Sequence, residues 1–144
     1  MNRTPENQKK LPSTQVNSLM VLLLVLLTLY LYGFYWLDKQ SSVLKQQFGI
    51  APFNENLIQY GYISFGITIC LLVVLDTYQI ENIAFSYFPG LLAMTTYTIF
   101  LYCSIRYALA IKKILGYKKI DILYLLGALL YNVVFINWWQ NKHT

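Results

Sequence analysis

The stretch Leu19–Leu37, LMVLLLVLLTLYLYGFYWL, runs nineteen residues without a charged side chain, and its reading decides the fold class. A hydrocarbon core of roughly 30 Å is crossed by about twenty apolar residues at 1.5 Å of helical rise each. Inside lipid only a helix or a closed barrel satisfies its own backbone, so a lone uncharged block of this length predicts a transmembrane helix. Asn17 and Ser18 precede the block, and Asp38-Lys39 end it. It is longer than the apolar region of a cleaved leader. The bulky Tyr32-Gly33-Phe34-Tyr35-Trp36 offers no small-x-small cleavage site, so the segment reads as retained.

Three further blocks follow. Leu57–Leu75 has nineteen residues without a charge and stops at Asp76. The third begins at Pro89-Gly90 and reaches Ile111, broken only by Arg106, and the fourth runs from Ile122 to Trp139. The expectation is an all-α integral membrane protein with four transmembrane helices in a small bundle. Its spans fall at about 19–37, 57–75, 90–111 and 122–139, within a transmembrane domain covering 17–139. Residues 1–16 read as a polar flexible tail and 140–144 as a short one. Asn54 is placed to cap the second span, Pro89 to sit in the first turn of the third, and Asp121 to face the positive end of the fourth. Tyr30, Tyr32, Tyr35 and Trp36 gather at the end of the first block, and Trp138-Trp139 close the last, as interfacial aromatics do.

Composition agrees. Apolar residues make up 57 % of the chain and charged residues 12 %, about half the charge of an ordinary soluble domain. The net charge of +5 does not read as nucleic-acid binding, because the basic residues lie in connections and tails, Arg106 excepted, and form no basic face on a soluble domain. With four spans, one side holds Arg3, Lys9, Lys10 and Lys142, and the other holds Lys39, Lys45, Arg106, Lys112, Lys113, Lys118 and Lys119. The positive-inside rule then puts both termini outside and the more basic connections in the cytoplasm. Between the first two spans, Val43, Leu44 and Phe48 would share a helical face, with Gly49 as a stop. This piece reads either as a short interfacial helix or as a loop.

Chemistry is sparse. The only histidine is His143, which excludes haem ligation by paired histidines and histidine-based metal sites; no catalytic, cofactor or metal residue is expected. Cys70 and Cys103 fall at depths differing by roughly 12 Å, too far to form a disulfide. No carboxylate lies in the middle of a span, where a proton-coupled carrier would keep one. Arg106 is the one charge within a span. Either it snorkels to the headgroups beside Lys112 and Lys113, or it forms with Tyr107, Lys112 and Lys113 a contact for an anion or lipid headgroup. Gly66, Cys70, Ser104, Ala128 and Asn132 are expected at helix contacts, where small residues allow close approach and Asn132 can hydrogen-bond across the interface.

The segment Tyr32-Gly33-Phe34-Tyr35-Trp36-Leu37-Asp38-Lys39 resembles the Tyr-Gly-x-Tyr-Trp signature that ends the first transmembrane helix in a family of small bacterial multi-helix membrane proteins. That family carries a domain-of-unknown-function label. Tyr131-Asn132-Val133-Val134-Phe135-Ile136-Asn137 is similar to the end of that family's last span. The resemblance implies a small helical bundle in a bacterial cytoplasmic membrane, and no activity. Three functions compete. The first is a non-enzymatic accessory, scaffold or regulatory subunit; the second a small oligomeric transporter or channel; the third an enzyme acting on lipid headgroups. Missing catalytic groups favour the first. Its partners would be the lipid bilayer and another membrane protein or a second copy of the chain.

Overall fold

The computed structural model describes residues 17–27, 31–116 and 122–142; the side chains of 25–27 and 129–132 lie outside that description. The chain is all-α, with no strand among the described residues. The helices are α1 (Ser18–Leu27), α2 (Leu31–Phe48), α3 (Glu55–Thr77), α4 (Ile83–Ile114) and α5 (Ile122–Lys142). The tail 1–16, Tyr30, Lys118, Lys119, Asp121 and His143 lie outside the described residues.

The antiparallel pair α3–α4 is the backbone of the molecule. Asn54 caps α3 as expected, its side chain accepting from the Asn56 N–H at 3.0 Å. At α4 the expectation fails. The helix starts at Ile83 under an Asn82 cap that accepts from the Ala84 N–H at 3.0 Å, so Pro89 lies inside the helix and not in its first turn. The Asn82 cap offsets orphan N–H groups, while Pro89 in the second turn removes one donor and its ring opposes the carbonyl four residues back. Ser64 fastens the pair: its Oγ donates to the Leu92 carbonyl at 3.2 Å and lies 2.7 Å from Thr96 Oγ1.

Helix α2 runs beyond the expected end at Leu37 as far as Phe48, and Gly49, at φ 67°, terminates it. Asp38 and Lys39 are exposed while Gln40, Ser41 and Leu44 are buried. The charges therefore mark a solvated face of a continuing helix, so the segment around Val43–Phe48 is neither a separate helix nor a loop. Lys45 pairs with Glu55 at 2.8 Å across the turn into α3, an exposed bridge worth less than about 1 kcal/mol.

Two of the four apolar blocks are not straight rods. Asn137 accepts from Trp36 Nε1 at 3.3 Å and donates from Nδ2 to Ser18 Oγ at 3.2 Å. Ser18 and Trp36 therefore sit on one side chain, although eighteen residues of straight helix would part them by roughly 27 Å. Hence α1 folds back beside α2. In α5 the Tyr124 ring lies 4.8 Å from that of Trp139 and 5.9 Å from that of Phe135. A straight helix would separate the Tyr124 and Trp139 Cα atoms by roughly 22 Å. The segment is therefore not one straight rod from Tyr124 to Trp139. Helices α2 and α5 pack on the second half of α4, where Phe34, Trp36, Phe100, Tyr107, Ile111 and Ile136 form the core, and α1 lies against α2 and α5.

The other half of the α3–α4 pair stands clear of this core. Ile67, Leu72, Val73, Phe85, Phe88 and Met94 are all exposed. Among the described residues, α3 and α4 are the two helices long and apolar enough to cross a membrane, and only 17 % and 28 % of their most apolar windows are buried. A core helix of a soluble domain would be mostly covered, so these two expose their apolar faces to their surroundings.

Candidate functional site

The polar groups that converge do so in the seam between α1, α2, α4 and the second half of α5. Asn137 is fully buried and uses both ends of its amide, on Trp36 and on Ser18. One turn on, Gln140 accepts at 2.9 Å from the Tyr107 hydroxyl, which is also fully buried. The Trp36 and Tyr107 rings meet edge to face at 5.3 Å. Tyr124 donates to the Ala108 carbonyl at 3.0 Å, and Lys112 Nζ lies 5.0 Å from its ring centre. Gln40 Oε1 is buried and has no hydrogen-bond partner among the described residues. The groups of the seam are amides, hydroxyls and one indole, with Lys112 at its margin. They can hold helices in register. They hold no pair of nucleophile and base. Among the described residues no cluster of three His, Cys, Asp or Glu could hold a metal ion.

The residues expected to contact an anion do not converge. Arg106 is exposed and its Nε donates to the Pro52 carbonyl at 3.2 Å, so it fastens the α2–α3 connection to α4. Tyr107 faces inward onto Gln140, Lys112 is buried against Tyr124, and Lys113 is exposed. At about 100° per residue Arg106 and Lys113 share a face, while Tyr107 and Lys112 turn to α5.

The expected packing residues divide. Ser104 and Ala128 are buried, with Ser104 Oγ donating to the Phe100 carbonyl at 2.8 Å. Gly66 and Cys70 point outward, and nothing lies within 4 Å of where a Gly66 side chain would begin. Ser64 and Thr68 face α4 instead, and residues two apart on a helix lie on nearly opposite sides, so one neighbour cannot cover both pairs. The Asn132 side chain lies outside the described residues. Close helix approaches occur elsewhere: a Cβ on Gly33 would fall 2.6 Å from the Phe100 ring, and one on Gly61 would fall 2.5 Å from that of Phe34.

Sequence reasoning singled out none of Asn137, Gln140, Gly33 or Gly61 as a site. The usable signal was Asn137 and Gln140 at i, i+3 near the end of an apolar block, where a polar side chain requires a partner. Comparison with protein-family models, with curated proteins and with solved structures finds no match to this chain.

Proposed function

We propose that this chain is a non-enzymatic membrane protein that serves as an accessory or scaffold subunit, packing its apolar helices against another membrane protein. The observation that supports this most is the outer half of the α3–α4 pair, apolar on its exposed faces and left uncovered by the other described residues. The connections between α2 and α3 and between α3 and α4 are too short to hold a soluble domain, and the polar seam serves helix packing. In this reading α3 and α4 cross the bilayer. The end bearing Lys45, Arg106, Lys112 and Lys113 faces the cytoplasm, and the turn with Asp76 and Glu81 faces outside. The inserted form has four crossings in a bacterial cytoplasmic membrane, the blocks 19–37 and 122–139 standing beside α3 and α4 with both termini outside.

Two measurements test this. Resistance of the membrane-bound chain to alkaline carbonate extraction tests insertion; release into the supernatant would end the membrane reading. Native mass spectrometry after gentle extraction from its own membrane tests the accessory role. A discrete complex with a second membrane protein is expected. A chain found only as monomer or homo-oligomer would overturn that role and turn attention to transport.

A further inference from the structure

A groove of about 290 Å³ runs along the exposed half of α3–α4, lined by Phe65, Thr68, Ile69 and Leu72 on α3 and by Ala93, Thr96, Tyr97 and Phe100 on α4. Phe34 of α2 closes its inner end. The threonines of the groove spend their hydroxyl protons on their own helices, Thr68 donating to the Ser64 carbonyl at 2.8 Å and Thr96 to the Leu92 carbonyl at 2.9 Å. It extends roughly 10 Å along the helices, from Phe65 to Leu72.

The groove continues an interface that already exists. Phe34 packs edge to face on Phe100 at 5.3 Å and lies tilted against Tyr62 at 5.7 Å, and its ring fills the space beside Gly61. Helix α2 is antiparallel to α3, as the Lys45–Glu55 pair at its other end requires. A helix extended from α2 toward the amino terminus would therefore lie in the groove. Eleven residues back from Phe34 is Leu23, and eleven on from Gly61 is Leu72. Eleven residues is three helical turns, so Leu23 repeats the orientation of Phe34 and would rest on Leu72. Both are half exposed in the structure, at 52 % and 49 %. The segment that precedes α2 is α1, which now touches α2 and α5 and neither α3 nor α4.

We propose that this groove is the seat of α1 in the inserted protein: Leu19–Leu37 straightens into one helix, and Leu23 packs on Leu72. The proposal rests on the membrane reading and assigns the place of the first crossing within it. The contact of α1 with α5 through Ser18 and Asn137 is kept if the second half of α5 rises with it, whereas the bonds Trp36–Asn137 and Tyr107–Gln140 must break. The movement carries both termini to the other end of the α3–α4 pair. Taking a charged tail across lipid is costly, so the rearrangement belongs to insertion and is not a reversible switch.

The test uses the full chain in membranes, with Cys70→Ala and Cys103→Ala as background. Leu23→Cys with Leu72→Cys, treated with a short bifunctional thiol reagent, is expected to give a faster-migrating intramolecular product that neither single variant gives. Met20→Cys with Leu75→Cys, three residues further along both helices, should do the same and guards against a misfolded first pair. Trp36→Cys with Asn137→Cys reports the folded-back form. Coupling of Trp36→Cys with Asn137→Cys while both seat pairs stay uncoupled would overturn the proposal, as would no coupling in any pair. Carbonate extraction of the same samples separates this failure from failure of the membrane reading.

Discussion

Gly33 and Gly61 are points of close helix contact, and each faces a phenylalanine that is fully buried and edge-packed on the other. An added methyl would begin less than 3.0 Å from a ring atom, so each ring must shift, and overpacking of this kind costs about 1–3 kcal/mol. Gly33→Ala and Gly61→Ala are expected to lower the unfolding midpoint in detergent. Gly66→Ala, in open space on the same helix as Gly61, should hold or raise it, since alanine favours a helix over glycine by up to about 1 kcal/mol. Equal losses at all three positions would contradict the packing. Gln40 makes the opposite case. Its Oε1 is buried with no hydrogen-bond partner among the described residues, and an unmet acceptor is a desolvation cost of about 1–3 kcal/mol. Gln40→Leu should therefore raise the same midpoint, and a drop would mean that the amide has a partner in solution.

At the scale of elements, the α3–α4 pair is distinguished by an outer half whose apolar faces the other described residues leave uncovered. Ile67 sits at the centre of α3 and is 46 % exposed. A lysine at the centre of a spanning helix costs about 3 kcal/mol on insertion scales. Ile67→Lys is expected to shift a large part of the chain into the carbonate-soluble fraction, whereas Gln47→Lys on the exposed face of α2 should not. A soluble protein would give the reverse pattern, with little effect of a lysine at an exposed position. Helix α2 teaches a related lesson. Its continuation past Asp38-Lys39 depends on Gln40, Ser41 and Leu44 being covered by the bundle, so it is an amphipathic helix whose charges face out.

For the whole molecule, the antiparallel pair places the Tyr78–Asn82 turn at one end and the α2–α3 connection at the other. If α3 and α4 cross the bilayer, these ends face different compartments. In the Cys70→Ala, Cys103→Ala background, Glu81→Cys should react with a membrane-impermeant maleimide in intact cells. Gln47→Cys should react only after lysis. Labelling of both from one side would exclude crossing by α3 and α4, and the inverse pattern would reverse the orientation.

The uncharged run in α3, the Asn54 cap, the Gly49 stop and the helical class were legible in the sequence, because each follows from local chemistry: apolar length, a side-chain acceptor, a backbone that needs a positive φ. The Asn82 start of α4 was legible too, but Pro89 concealed it, being as good a sign of a first turn as of a tolerated break. The fold-back of α1 and α5 could not be read there. An apolar block of nineteen residues is compatible with a straight span or with two packed half-lengths. What separates these is whether Asn137 and Gln140 meet Trp36 and Tyr107, partners 101 and 33 residues away along the chain. The polar seam has the same origin. Composition and periodicity determined that these residues form apolar helices; only the tertiary contacts decided which of their faces met, because hydrogen-bond partners far apart in sequence leave no local pattern.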